Sequence, residues 1–202
     1  MDAPPELSPH TRELAAEAPA GATAGAPTGV DAAVTLGLFA AWLLHDLEEL
    51  ATVPRWTRTR VPELRRRFPQ VPERLWRSMA GMQRREFGLA MAGVGLVVAS
   101  AAAEGRRTGG RSAYYQSVLN GFGLHGLVHL AQAAAVRGYT PGSATSPLLV
   151  VPFTLWARGR LRRAGTLRPT RPRDAAISLA IAGAVAAGAH TAARRVLGTR
   201  RG

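Results

Sequence analysis

His45-Asp46-Leu47-Glu48-Glu49 places one imidazole and three carboxylates in five consecutive positions. On a helix, Glu48 and Glu49 lie one turn beyond His45 and project from the same side. Asp46 points about 100° away. The apolar stretch Ala32–Leu44 runs directly into this cluster. An ionised side chain near the centre of a membrane helix costs roughly 2.5–3.5 kcal/mol. Acids in that setting call for a metal, protons or basic partners. An imidazole with a carboxylate one turn on is the reverse order of the Glu-x-x-His pairs of di-iron bundles. One carboxylate could bridge two metal ions while the other binds one of them or acts as a base.

His125-Gly-Leu-Val-His129 supplies two more imidazoles, at i and i+4, able to grip one ion as on zinc metallopeptidase helices. The acid that follows the first histidine in those helices is replaced by Gly126, and Glu48 or Glu49 could serve instead. His45, Glu48, Glu49, His125 and His129 are therefore the predicted metal ligands, with Glu48 and Glu49 as catalytic candidates. Glu86 is a possible ligand or orienting group, against the plainer reading of a carboxylate complementing a helix N-terminus. Gln132, at i+3 from His129, could orient that ring or act as a packing amide. Asn120 lies about 140° around the helix from His125, so a shared face needs distortion, which Gly121 and Gly123 would permit. His190 reaches the site only if the last helix ends on the same face. His10 reads as a bystander.

The elements that must position these groups are helical. Residues 1–29, rich in Pro, Ala and Gly, have no basic segment before an apolar core and read as a disordered tail, not a conventional signal peptide. Apolar segments are expected at about 31–52, 86–103, 113–136 and 175–193, with Tyr114 and Tyr115 as an aromatic belt. A shorter segment, 146–157, holds Pro147 and Pro152 and either extends to about 164 or re-enters. Residues 53–85 carry ten arginines and read as a basic loop. Within it Pro72 and Glu73 can open an amphipathic helix with Leu75, Trp76, Met79 and Met82 on one face, suited to the headgroup plane. The expected fold is all-α: a polytopic transmembrane bundle of four to five spans with a basic interfacial helix. The helical domain covers 30–198, and a basic tail covers 199–202.

All 26 basic residues are arginine and the formal net charge is +13. Arginine clusters alternate with apolar blocks, a pattern that favours arginines flanking membrane spans over nucleic-acid binding. The seven arginines of 158–173 and those at the C-terminus leave the orientation of the later spans ambiguous. There is no cysteine, so neither disulfides nor thiolate ligands are available. Imidazole and carboxylate donors favour iron first and zinc next, as one or two divalent ions.

His45-Asp46-Leu47-Glu48-Glu49, the Asn120/His125/His129 cluster, and Tyr139-Thr140-Pro141-Gly142 with Thr145 resemble the HXXEE-domain membrane proteins. The resemblance covers about 35–157. It implies a small prokaryotic multi-span protein, of a family suspected of enzymatic activity. The family's Asn sits four residues before the first histidine of the pair, whereas Asn120 sits five before His125.

The expected function is a membrane-embedded metal-dependent enzyme acting on a lipophilic substrate, by hydroxylation or desaturation with iron, or by hydrolysis with zinc. Its expected location is the bacterial inner membrane, with the lipid bilayer as partner. One alternative is a metal-free glutamate/histidine hydrolase, similar to CAAX-type membrane proteases, although their Glu-Glu-x-x-x-Arg spacing is absent because the first arginine after Glu49 is Arg55. Another is a proton or cation relay without catalysis.

Overall fold

A computed structural model describes residues 30–81, 83–169 and 171–198. The expected tails at 1–29, with His10, and at 199–202 lie outside the described residues, as does Met82. The described residues form helices and no strand. Helix α1 covers Ala32–Thr35, α2 Gly37–Arg67, α3 Glu73–Ala80, α4 Arg84–Arg107 and α5 Ala113–Val136. A π-helical turn, Ser146–Val150, leads into α6, Val151–Arg163, and α7 covers Pro172–Val196.

Local chemistry sets these boundaries. The Ser112 hydroxyl accepts from the Tyr115 amide at 3.3 Å and caps α5. That helix ends where Arg137 turns left-handed, at φ 53°, before Gly138. Asp174 accepts from the Arg171 amide at 2.8 Å, and Arg194 and Arg195 occupy the last turn of α7, so both ends of that helix complement its dipole.

The long helices α2, α4, α5, α6 and α7 run alternately between two ends of the molecule. At the first end, Arg160 pairs with Asp31 at 2.5 Å, and the Gln116 amide donates to Gly110 O and Thr166 O at 2.7 and 2.8 Å. At the second, Trp56 donates to Tyr139 O at 2.9 Å, Arg67 to Val136 O at 2.8 Å, and Glu86 pairs with Arg194 at 2.6 Å. The short segment with Pro147 and Pro152 therefore continues through α6 to the first end of the molecule. The arginines of α6 lie at the opposite end from the basic residues after Glu49.

The main core joins Val34, Leu38 and Trp42 to Val98, Tyr115, Leu119, Phe122, Val150 and Leu161. Small residues admit its large ones. A Cβ on Gly95 would sit 2.8 Å from the Trp42 ring, and one on Gly105 would sit 2.5 Å from Tyr115. Tyr115 is fully buried and donates to Val34 O at 2.5 Å, so it belongs to the core and not to an interfacial belt. Tyr114 is partly exposed and donates to Val97 O at 2.9 Å.

Residues 53–67 are not a loop. Helix α2 continues through Pro54 and Pro62, each of which removes one backbone donor. Tertiary packing holds the continuation, because Val61 and Leu64 are buried against Trp76 of α3, with Trp56, Phe68 and Met79 around them. The apolar side of α3 therefore covers α2, while Leu75 is half exposed.

Two helices, Arg84–Arg107 and Arg173–Val196, are long and apolar enough to cross a membrane. Length and hydropathy do not carry the expected four to five spans. Helix α2 contains three acids before Arg55, α5 contains Gln116, Asn120, His125, His129 and Gln132, and α6 has only thirteen residues.

Candidate metal centre

Helices α2 and α5 and the connection from Tyr139 to Thr145 build the site. Helical spacing puts His125 and His129 on one side of α5, and Gly123 and Gly126 let the neighbouring segment approach. A Cβ at either would meet Thr154 or Val150 at 2.7 Å. His45 comes from α2 and is fully buried, and His129 is 6% exposed.

The three imidazoles and the Glu49 carboxylate converge. One ligand atom from each of His45, Glu49, His125 and His129 lies within 4.8 Å of every other. His125 Nε2 and His129 Nε2 are 2.8 Å apart, and Glu49 Oε1 is 3.3 Å from His129 Nε2. The His45 ring centroid lies 5.2 Å from that of His125 and 5.0 Å from that of His129. Tetrahedral ligands on bonds of about 2.0–2.1 Å stand about 3.3 Å apart, so drawing the most distant ligand atoms together by up to about 1.5 Å would close the set on one ion. Buried His45 Nε2 has no hydrogen-bond partner. An unpartnered imidazole nitrogen among two other imidazoles and a carboxylate is a donor set that fits a divalent cation.

Glu48 is directed elsewhere. Its Oε1 accepts from Tyr139 OH at 2.7 Å and from the amides of Gly142 and Ala144 at 3.1 and 3.3 Å. Its Oε2 accepts from the Thr145 amide at 2.8 Å and the Thr145 hydroxyl at 2.6 Å. The structure therefore separates the adjacent glutamates, Glu49 facing the imidazoles and Glu48 holding the connection over them. Asp46 is buried but outside the group of four. At Tyr139, burial together with the Glu48 and Glu49 charges pushes the phenol above its ordinary range.

The other candidates lie apart from the group. Glu86 is buried between α4 and α7, where Arg194 Nε is at 2.6 Å and His190 Nδ1 at 3.3 Å. The His190 ring lies 6.1 Å from Phe87. Asn120 accepts from Arg158 of α6, and Gln132 is exposed. Sequence reasoning assigned no role to Thr145 or Gly142. Thr145 hydrogen bonds to His45 Nδ1 at 2.7 Å. Gly142, at φ 81°, lies so close that a Cβ would sit 2.7 Å from the His129 ring and 2.9 Å from that of His45. The available signal was the turn chemistry of Pro141-Gly142, which suits a left-handed position.

Neither a curated protein nor a solved structure matches the chain. A family described as protein of unknown function with HXXEE motif matches residues 36–157, which include all four converging residues and the connection across them. The chain belongs to this HXXEE-motif family.

Proposed function

We propose that the protein is a membrane-embedded enzyme that holds one divalent cation on His45, Glu49, His125 and His129 and acts on a lipophilic substrate. The observation that carries this reading is the convergence of those four side chains, one of which, His45, has a buried and unpartnered Nε2. Five crossings of the bilayer fit the alternating run of the long helices. Helix α2 turns Leu43, Leu44 and Leu47 outward and His45 and Asp46 inward, the arrangement expected of a span with polar contents. None of the most apolar eighteen-residue window of α7 is buried, and Ile181 is 56% exposed. Lipid contact relieves the hydration cost of such a face.

Iron bound there would supply oxidative chemistry for hydroxylation or desaturation, and zinc a Lewis acid for hydrolysis. Mixed imidazole and carboxylate donors favour iron. Four ligands around one point, with Glu48 engaged by the connection, favour one ion over two. Glu49 can accept a substrate or water proton on its second oxygen while the first faces the imidazoles. Glu48 has no free position for that role.

Metal analysis of the detergent-purified protein tests the reading, beside His45→Ala, His129→Ala and the exposed control Gln132→Ala. About one equivalent of iron or zinc is expected in the wild type and the control, and little in the histidine variants. A wild type that stays metal-free after reconstitution with either ion overturns it. The second reading is a metal-free proton relay, favoured by the 2.8 Å contact between His125 Nε2 and His129 Nε2. Proton flux in vesicles, lost in His125→Ala without bound metal, would establish that relay. Hydrolysis by the metal-free protein would instead establish the glutamate/histidine hydrolase.

A further inference from the structure

We infer that Thr145, backed by Glu48, is the positioning residue that fixes the tautomer of His45 and turns its Nε2 lone pair to the centre. The inference deepens the metal-centre reading and rests on it for its consequence. The Thr145 hydroxyl has one proton, and that proton goes to Glu48 Oε2 at 2.6 Å. A second bond links the same oxygen to His45 Nδ1 at 2.7 Å. With its proton committed to the carboxylate, the hydroxyl can only accept from the ring, so Nδ1 carries the hydrogen. Nε2 is then the lone-pair nitrogen, and it is buried without a partner.

The arrangement is a carboxylate–hydroxyl–imidazole chain, one group longer than the usual carboxylate–histidine pair behind a metal. The backbone holds it in place, since Glu48 also accepts the amides of Gly142, Ala144 and Thr145. It explains why two adjacent glutamates serve one site. Glu49 reaches the imidazoles directly, whereas Glu48 acts through Thr145. It also explains why the connection passes so close to His45 and His129 at Gly142.

Two measurements on the full chain in detergent test the inference. Nitrogen NMR of 15N-histidine-labelled, metal-free protein reads the His45 tautomer without any ion. Wild type and Thr145→Ser are expected to show Nδ1–H, and Thr145→Val to lose that preference. An Nε2–H tautomer in the wild type, or no change in Thr145→Val, overturns the inference. Zinc titration against a competing chelator reads the consequence. Thr145→Val is expected to bind about 10–100-fold more weakly, with Thr145→Ser near wild type. Unchanged zinc affinity in a folded Thr145→Val also overturns it. If Thr145→Val does not fold, the wild-type tautomer and the Thr145→Ser rescue still decide. A wild type that shows Nδ1–H but binds neither zinc nor iron sinks the metal-centre reading and leaves the positioning of His45 standing.

Discussion

At the scale of the residue, the choice between two adjacent glutamates shapes the site. Successive helical residues differ by about 100° in direction. Glu49, one turn after His45, follows that ring into the group of four, and Glu48 swings toward the connection that closes over it. The His-x-x-x-Glu and His-x-x-x-His spacings made His45, Glu49, His125 and His129 legible before any fold was known. The division of labour between the glutamates was not legible, because it depends on a segment almost a hundred residues away. Gly142 gives this scale a prediction. Its φ of 81° and the 2.7 Å approach of a Cβ to His129 leave no room for alanine. Gly142→Ala should weaken zinc binding by about tenfold or more, the size seen when groups behind a metal site are disturbed. Gly138→Ala is the control, since a Cβ there meets only Arg60 at 3.9 Å. Equal zinc affinity for the two variants would mean that the connection does not press on the imidazoles.

At the scale of the element, the sequence revealed helices wherever apolar content was continuous. The expected 113–136 segment coincides with α5, Ala113–Val136. It failed where prolines and arginines imitate a loop. Residues 53–67 stay helical because Val61 and Leu64 bury themselves under Trp76, a tertiary gain that local propensity does not contain. Glu86 was similarly ambiguous, since its partners lie in α7, more than a hundred residues later. There it joins α4 to α7 through Arg194 and His190, and α7 lies beyond the family match. Removing one member of such a pair leaves a poorly solvated charge, at a cost of about 1–3 kcal/mol for partners that keep some contact with water. Glu86→Ala should lower the melting temperature by several degrees, as should Arg194→Ala. Both should retain the wild-type metal content. Loss of metal in Glu86→Ala at unchanged stability would return Glu86 to the centre.

At the scale of the whole molecule, charge marks both ends of the bundle. Arg65, Arg66 and Arg67 close α2 at one end, and Arg160, Arg162 and Arg163 close α6 at the other. This is why arginine counts alone could not orient the later segments. The geometry gives the relative placement of these ends, because the Arg160–Asp31 pair ties the end of α6 to the start of the helical region. With no native cysteine, single cysteines can read the arrangement directly. In sealed membranes, an impermeant maleimide should label Arg66→Cys and Arg162→Cys from opposite sides. Ile181→Cys, apolar and 56% exposed in the middle of α7, should resist the reagent until detergent is added. Labelling of positions 66 and 162 from the same side would rule out five crossings. Labelling of position 181 as fast as the other two would place the α7 surface in water. Its apolar face would then need a protein partner instead of lipid.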